Sequence, residues 1–278
     1  MKHEQKETWT ICPFEVGQIY IRDGMLHGGG SMKDVDRIKK PAICFLLINN
    51  TTNEKILVDA GPKPDAYMTS LLHNPYVMVQ TIENGLKRFQ TTKEEISKVI
   101  LTHLHWDHAW GAVDLPNAKI ILQKSELLFA LNPSEKHVIM YESGIDVGEM
   151  PYVLQLASRY EVVDGDVELE NGLQLYLVGG HTQGSQIIIV PTDDGPYLIM
   201  GDNVYDYESF QARKAPGNLL NEEEWEAAMN KIYAVKEKLD AKVLIAHDYG
   251  TFDALGIRYE PFETLKVYNH AVFSVKND

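Results

Sequence analysis

Cysteine, basic charge and long apolar runs are all scarce in this chain of 278 residues. The two cysteines, Cys12 and Cys44, stand in apolar stretches without a CxxC spacing, which predicts buried free thiols and no cysteine-based zinc site. No apolar run approaches the roughly 20 residues that span a bilayer. Residues 1–10 also lack the apolar core of a signal peptide. We therefore expect a cytoplasmic protein with no membrane partner.

Basic side chains are outnumbered by acidic ones. Lys and Arg total 26 against 40 Asp and Glu, a formal net charge of −14. Because binding to nucleic-acid phosphates requires a basic face, we expect no nucleic-acid partner. The hydrophobic fraction of 44% is ordinary for a globular protein. We expect residues 1–278 to form one domain with a small-molecule partner, whereas no pattern indicates an oligomeric state.

Strands and helices are mixed along the chain, with hairpins early and a second half rich in strands, and this order predicts an α/β fold. Two similar αβ halves packed sheet against sheet would fit this order. Residues 24–32, with three consecutive glycines, are predicted to be a loop. The predicted strands lie within 9–22, 42–48, 55–59, 119–122, 161–180, 186–190, 197–200 and 242–246. The predicted helices lie within 65–89 (interrupted), 125–131, 152–160 and the segment that begins after Asn221.

The segment THLHWDHAWG, from Thr102 to Gly111, contains the densest chemistry in the sequence. It follows a short β-branched apolar run and therefore lies where a buried strand ends, the place at which open α/β sheets locate their sites. His103 and His105 alternate in an extended segment and point to the same side. Asp107 and His108 follow one turn later and can face a second ion. The segment predicts a metal site.

Three other ligand-type residues also follow predicted strands. His181 lies in GGHTQGSQ, Asp202 in MGDNVY and His247 in IAHD. Each repeats the same order of buried strand, small residue and ligand. Together with the first segment they supply five histidines and two aspartates, enough for two divalent ions.

The charges and positions assign roles to these side chains. One ion is predicted at His103, His105 and His181, and the second at Asp107, His108 and His247, with Asp202 bridging the two. Imidazole and carboxylate ligands suit zinc best, with cobalt, manganese or iron as substitutes. Two such ions would share an activated water at neutral pH.

Two residues outside this ligand set are of interest. Asp59 ends a predicted strand in VDAG, where it forms either a plain Asx turn or a hydrogen bond to a ligand imidazole. The sequence favours neither. Of the remaining histidines only His27, in the glycine-rich loop, is a candidate pocket residue.

These motifs resemble the metallo-β-lactamase superfamily. VDAG, HLHWDH, GGHTQGS, Gly201-Asp202 and AHD occur in the order of that family, from about Ala42 to Asp248. The resemblance implies an αββα sandwich: two mixed sheets packed face to face, helices outside, and a dinuclear metal site at one edge. Within the superfamily the chain is most similar to the N-acyl homoserine lactone lactonases.

The resemblance to these lactonases implies a function and further site residues. They have a tyrosine three residues after the bridging aspartate, here Tyr205, and they line the acyl-chain pocket where this chain has Met25 and Leu26. Our hypothesis is hydrolytic opening of a lactone ring, with Tyr205 stabilising the oxyanion and Asp202 or Asp107 carrying a proton to the leaving alkoxide.

Other functions stay open at this point. Asp202 argues against true β-lactamases, His105 against the flavoprotein oxygen reductases, and the acidic charge against RNA-processing nucleases. Another lactone, such as a pyridoxine-derived one, and thioester hydrolysis of the glyoxalase II kind are the alternative reactions. Basic residues near the C-terminus, Arg258 and Lys266, support the thioester reaction only weakly. A metal-bound binding protein without catalysis is the non-enzymatic alternative.

Overall fold

Two β-sheets dominate the computed structural model, which describes residues 7–33, 36–63, 76–135, 137–141 and 150–259. The first sheet contains β1 Trp9–Arg22, β2 Arg37–Asn49, β3 Lys55–Val58, β4 Tyr76–Met78, β5 Ile96–Ile100, β6 Lys119–Gln123 and β7 Tyr160–Val163. The second contains β8 Val167–Glu168, β9 Gln174–Leu177, β10 Gln186–Val190, β11 Tyr197–Met200 and β12 Lys242–Ile245. Both sheets mix parallel and antiparallel pairs.

Helices connect the strands. The α-helices of the described residues are α1 Asp23–Leu26, α2 Ile82–Lys87, α3 Trp106–Ala109, α4 Lys124–Leu131, α5 Tyr152–Gln155, α6 Tyr207–Ala212, α7 Glu222–Leu239 and α8 Gly250–Ala254. Short 3₁₀ helices cover Lys93–Glu95, Trp110–Asp114, Val138–Met140 and Ala157–Arg159. None of the helices in these ranges is long and apolar enough to cross a membrane.

The core lies in three layers, because side chains alternate between the two faces of each strand. Phe45 and Ile56 of the first sheet pack with Ile188 and Leu244 of the second in the apolar layer between the sheets. The opposite face of the first sheet packs against helices that include α4 and α5. The opposite face of the second packs against α7 through its apolar stripe, which includes Trp225. The predicted αββα sandwich is confirmed.

Register brings several strand ends to one edge of this sandwich. Val58, the last residue of β3, lies opposite Ile100, the last residue of β5, in a parallel pair. In the second sheet Met200 of β11 lies opposite Ile245 of β12, also in a parallel pair. Parallel neighbours that end together place the residues that follow them at the same edge.

The structure corrects parts of the predicted secondary structure. Tyr76–Met78, within the predicted helix 65–89, is a strand that pairs with β1, and residues 64–75 lie outside the described ones. The helix predicted over 152–160 ends at Gln155, and Tyr160 begins β7. Helix α4 begins at Lys124 after an N-cap at Gln123, not at a capping Ser125.

Other predictions from the sequence agree with the structure in whole or in part. The predicted strands 186–190 and 197–200 have the observed bounds. The side chain of Asn221 accepts a hydrogen bond from the backbone of Glu224, as the capping pattern indicated. Both cysteines are free thiols; Cys44 is buried, whereas Cys12 is half-buried.

Candidate metal centre

The chain after β5 carries two of the predicted ligands into the edge described above. His103 and His105 lie between β5 and α3, and both are buried. Trp106 anchors the turn into α3, with its ring centroid 4.9 Å from that of Tyr76. The two imidazole rings lie 4.5 Å apart, so the predicted shared direction of the side chains holds.

His181 joins these two residues from the second sheet. It lies in the loop between β9 and β10, and its Nε2 is 2.9 Å from Nδ1 of His105. One potential ligand atom from each of His103, His105 and His181 lies within 4.8 Å of those of the other two. The sequence predicted this group for the first ion.

A second group lies beside the first. It contains Asp107, His108, Asp202 and His247, whose potential ligand atoms also lie within 4.8 Å of one another. The Nε2 atoms of His108 and His247 are 3.2 Å apart, although His108 lies in α3, after a strand of the first sheet, and His247 follows β12 of the second. Their close approach agrees with the predicted second ion.

Asp202 lies between the two groups. Its Oδ1 is 3.1 Å from His108 Nε2 and 3.3 Å from His247 Nε2. Its Oδ2 is 3.7 Å from His181 Nε2, which belongs to the first group. One carboxylate therefore presents a separate oxygen to each set of histidines, as a bridging ligand requires.

Backbone carbonyl groups orient two of the imidazoles. Nδ1 of His181 lies 2.7 Å from the carbonyl oxygen of Asn218, and Nδ1 of His247 lies 2.7 Å from that of Pro41. A hydrogen bond at Nδ1 leaves the lone pair on Nε2, which faces the centre. Metal-binding histidines are commonly held in this way.

Asp59 orients a third imidazole. Its Oδ2 is 2.7 Å from His108 Nδ1, and the backbone N–H and hydroxyl of Thr102 donate to its two oxygens at 2.8 and 2.9 Å. Asp59 has a φ of 54°, a left-handed conformation that Asp and Asn tolerate better than most residues. Of the two alternatives for Asp59, the structure shows the hydrogen bond to a predicted ligand.

The donor atoms of the cluster fit a divalent cation. His103 Nε2 and Asp107 Oδ1 are buried and have no hydrogen-bond partner among the described residues. Leaving such a group buried and unpaired costs about 1–3 kcal/mol, and more for a charged one. A cation removes this cost, and imidazole and carboxylate are the ligands that zinc and similar ions take.

Electrostatics divides the histidines into two kinds. Burial, reinforced by neighbouring imidazoles, holds the pKa of His103 and of His105 well below the usual range, and burial lowers the pKa of His181 to about 4. These rings are neutral at neutral pH. Burial also disfavours charge on His108 and His247, but nearby carboxylates, Asp202 foremost, outweigh it and raise both pKa values. A cation bound to this second group would displace the protons that the raised pKa values favour on His108 and His247.

Comparison with known proteins places the fold and the cluster in a family. A family model described as the metallo-beta-lactamase superfamily matches residues 42–247. The chain belongs to this superfamily. It is a metal-dependent hydrolase, as predicted.

Named relatives and solved structures agree with this membership. An N-acyl homoserine lactonase of a Bacillus species is 32% identical over 184 residues, which cover 62% of this chain and 67% of the relative. The lactonase AiiA of Bacillus thuringiensis subsp. kurstaki is 30% identical over the same shares. A mutant of B. thuringiensis AiiA with N-decanoyl-L-homoserine bound has a TM-score of 0.70 at 24% identity, covering 90% of this chain and 97% of that one. That structure shares the fold.

Tyr205 lies beside the cluster of predicted metal ligands. It is buried, with its ring centroid 5.5 Å from that of His247 and 6.4 Å from that of His181. Burial raises the pKa of its phenol well above the usual range, and the carboxylates of Asp202 and Asp107 raise it further. The hydroxyl therefore stays protonated at neutral pH and can donate a hydrogen bond.

The predicted pocket residues lie in or next to α1. Leu26 is buried in the same apolar cluster as Trp106 and Tyr205, and half-buried Met25 packs against that cluster. His27 contacts acidic groups: its Nδ1 is 2.7 Å from Asp23, and its Nε2 is 3.3 Å from Asp206. Met25 and Leu26 are therefore packed on the body of the protein, within the segment 24–32 that the sequence predicted to be a loop.

The sequence did not identify Glu126, a buried carboxylate next to the loops of the cluster. Glu126 lies in α4 with no solvent exposure and accepts hydrogen bonds from the loops that carry His103, His105 and His181. A glutamate in the first turn of a helix is usually solvated, so its position alone gave no signal. Only the three-dimensional packing identifies it.

The contact between Asp59 and His108 leads to a first prediction. Asp59→Asn keeps an oxygen acceptor and a residue that tolerates the left-handed backbone, but it removes the negative charge beside His108. We expect zinc affinity to fall about 10- to 100-fold, the usual effect of losing a partner of a ligand histidine. Chelator competition measures it, and melting of the metal-free protein serves as the control for folding. Unchanged zinc affinity would contradict the orienting role of Asp59.

Proposed function

We propose that this hydrolase opens lactone rings with a pair of divalent cations, and that its substrates are N-acyl homoserine lactones. The position of Asp202, between two groups of histidines and hydrogen-bonded to Tyr205, is the observation that carries the proposal. It supports two adjacent cations rather than one. The relatives at 30–32% identity are named N-acyl homoserine lactonases, which supports the choice of substrate.

Seven side chains would hold the two cations. His103, His105 and His181 would hold one, and Asp107, His108 and His247 the other, with Asp202 on both. We propose zinc as the native ion, because its ligands in proteins are mostly imidazole, carboxylate and thiolate. When bound, such a pair supplies Lewis acidity toward a carbonyl oxygen and a water-derived nucleophile at neutral pH.

The remaining chemistry falls to side chains of the chain itself. Hydrolysis adds the elements of water across the ester bond: hydroxyl to the acyl carbon, and a proton to the ring oxygen as its bond to that carbon breaks. Tyr205 would donate its hydroxyl hydrogen to the carbonyl oxygen as negative charge develops there. Asp202 or Asp107 would carry the proton to the departing alkoxide.

Half-buried Met25 would provide apolar surface for an acyl chain, and Leu26 beside it is buried in the core. Their cluster includes Tyr205, so the apolar segment and the proposed oxyanion donor share one packed region. A homoserine lactone presents a polar ring and an apolar chain, and these two surroundings match its two parts. Specificity for chain length would then depend on this segment.

Turnover of a substrate panel tests the proposal directly. The zinc-loaded protein should hydrolyse acyl homoserine lactones of several chain lengths faster than a pyridoxine-derived lactone, S-lactoylglutathione or an aryl ester. Formation of the hydroxy acid is followed by the proton that it releases into a weak buffer at neutral pH, and by mass spectrometry. A preference for S-lactoylglutathione would make the protein a thioesterase. No turnover of any compound would leave a metal-bound binding protein.

Tyr205→Phe tests the role of the hydroxyl. We expect kcat to fall about 10²- to 10³-fold, the usual effect of removing one oxyanion donor, while zinc content stays the same. Tyr207→Phe is the matched control, because its hydroxyl donates to the carbonyl of Val243, away from the cluster. Undiminished turnover by the Tyr205 variant would remove the tyrosine from the mechanism.

A further inference from the structure

Glu126 is a fully buried carboxylate that belongs to neither group of ligands. It lies in the first turn of α4, between the strand β6 and the loops of the metal centre. A carboxylate withdrawn from water is unfavourable unless hydrogen bonds or a cation compensate its charge. Its surroundings therefore indicate what it holds in place.

Four donors compensate this carboxylate, and they divide evenly between its oxygens. Oε1 accepts from the backbone N–H of Leu104 at 2.9 Å and from the hydroxyl of Tyr141 at 3.1 Å. Oε2 accepts from the hydroxyl of Thr182 at 2.6 Å and from the backbone N–H of Gly184 at 3.1 Å.

Three of these donors come from the two loops that carry the first group of histidines, and the fourth, Tyr141, follows the 3₁₀ helix Val138–Met140. Leu104 separates His103 from His105, and Thr182 follows His181 directly. The carbonyl of Leu104 also accepts a hydrogen bond from the hydroxyl of Tyr152, so both backbone polar groups of this residue are hydrogen-bonded. One carboxylate thus joins two loops that are distant in sequence. One loop follows β5 of the first sheet, and the other follows β9 of the second.

Gly184 shows independently that the second loop packs directly on α4. A Cβ atom at this position would lie 2.1 Å from the backbone nitrogen of Glu126. Only glycine permits this approach, because the obstacle is backbone and cannot move aside. The loop is therefore built to reach the glutamate.

The chemistry of the contact requires a carboxylate. An ionised carboxyl group only accepts hydrogen bonds, so it can serve donors on both oxygens. The isosteric amide of glutamine would present its own N–H groups to two of the four donors. Substitution by glutamine would then push one loop away without changing the size of the side chain.

We propose that Glu126 is a positioning residue that sets the separation of His103 and His105 from His181, and thereby the affinity of the first cation. It does so by fixing both loops, without touching the cation or the substrate. This inference rests on the proposed pair of cations and is independent of the lactone substrate.

Zinc binding by Glu126→Gln tests this inference. We expect one of the two zinc ions to bind about 10- to 100-fold more weakly, as for other residues that orient metal ligands, and the other to keep its affinity. Chelator titration of each protein gives the two affinities, and the cobalt absorption spectrum shows whether the geometry of one site changes. Wild-type protein that binds fewer than two ions would contradict the proposed pair itself. Two unchanged affinities in the variant would overturn only the role of Glu126.

Glu54→Gln is the matched control. Glu54 also accepts three hydrogen bonds, from the adjacent Ser97 and Lys98 of β5 and from the distant Asn171, but it lies at the opposite end of β3 from Asp59. We expect this variant to keep both zinc affinities. Equal weakening in both variants would reduce the effect to general loss of stability and overturn the proposal.

A second pair of variants decides the question if Glu126→Gln does not fold. Thr182→Val removes one donor at similar volume, whereas Thr182→Ser keeps the hydroxyl. Weaker binding of one zinc ion by the valine variant, restored in the serine variant, supports the role of Glu126. Wild-type affinities in the valine variant would overturn it.

Discussion

Burial of polar ligand atoms at one edge of the sandwich is the constraint on which the rest of this structure depends. Five imidazoles and two carboxylates are buried together, and several of their polar atoms have no protein partner in the described part of the chain. Such a cluster is unfavourable in isolation. Bound cations would compensate the cost of burying these polar atoms. The rest of the structure keeps the ligands in position.

The two sheets meet this requirement through register. Strands β3 and β5 end together in one sheet, and β11 and β12 end together in the other. Each strand end is followed by a side chain of the cluster or by Asp59. Apolar packing between the sheets brings these strand ends together. The core thereby determines the positions of the ligand atoms, although these atoms are not part of it. Hydrogen bonds at Nδ1 then orient individual rings.

Much of this arrangement could be predicted from the sequence, because strand ends and ligand types are local signals. His181, Asp202 and His247 each follow a strand, buried for the last two and half-buried for His181, so the sequence could place all three at strand ends. Contacts between distant segments gave no such signal. Glu126 resembles any surface glutamate of a helix, and Tyr76–Met78 is a strand only because β1 offers a free edge there. The partner of Asp59 could not be chosen either, because His108 is 49 residues away.

Anomalous diffraction at the zinc edge, from crystals of the purified protein, tests the central claim most directly. The account predicts two peaks in the cluster, one against His103, His105 and His181 and the other against Asp107, His108 and His247, with Asp202 in contact with both. A single peak, or none at these side chains, would contradict it.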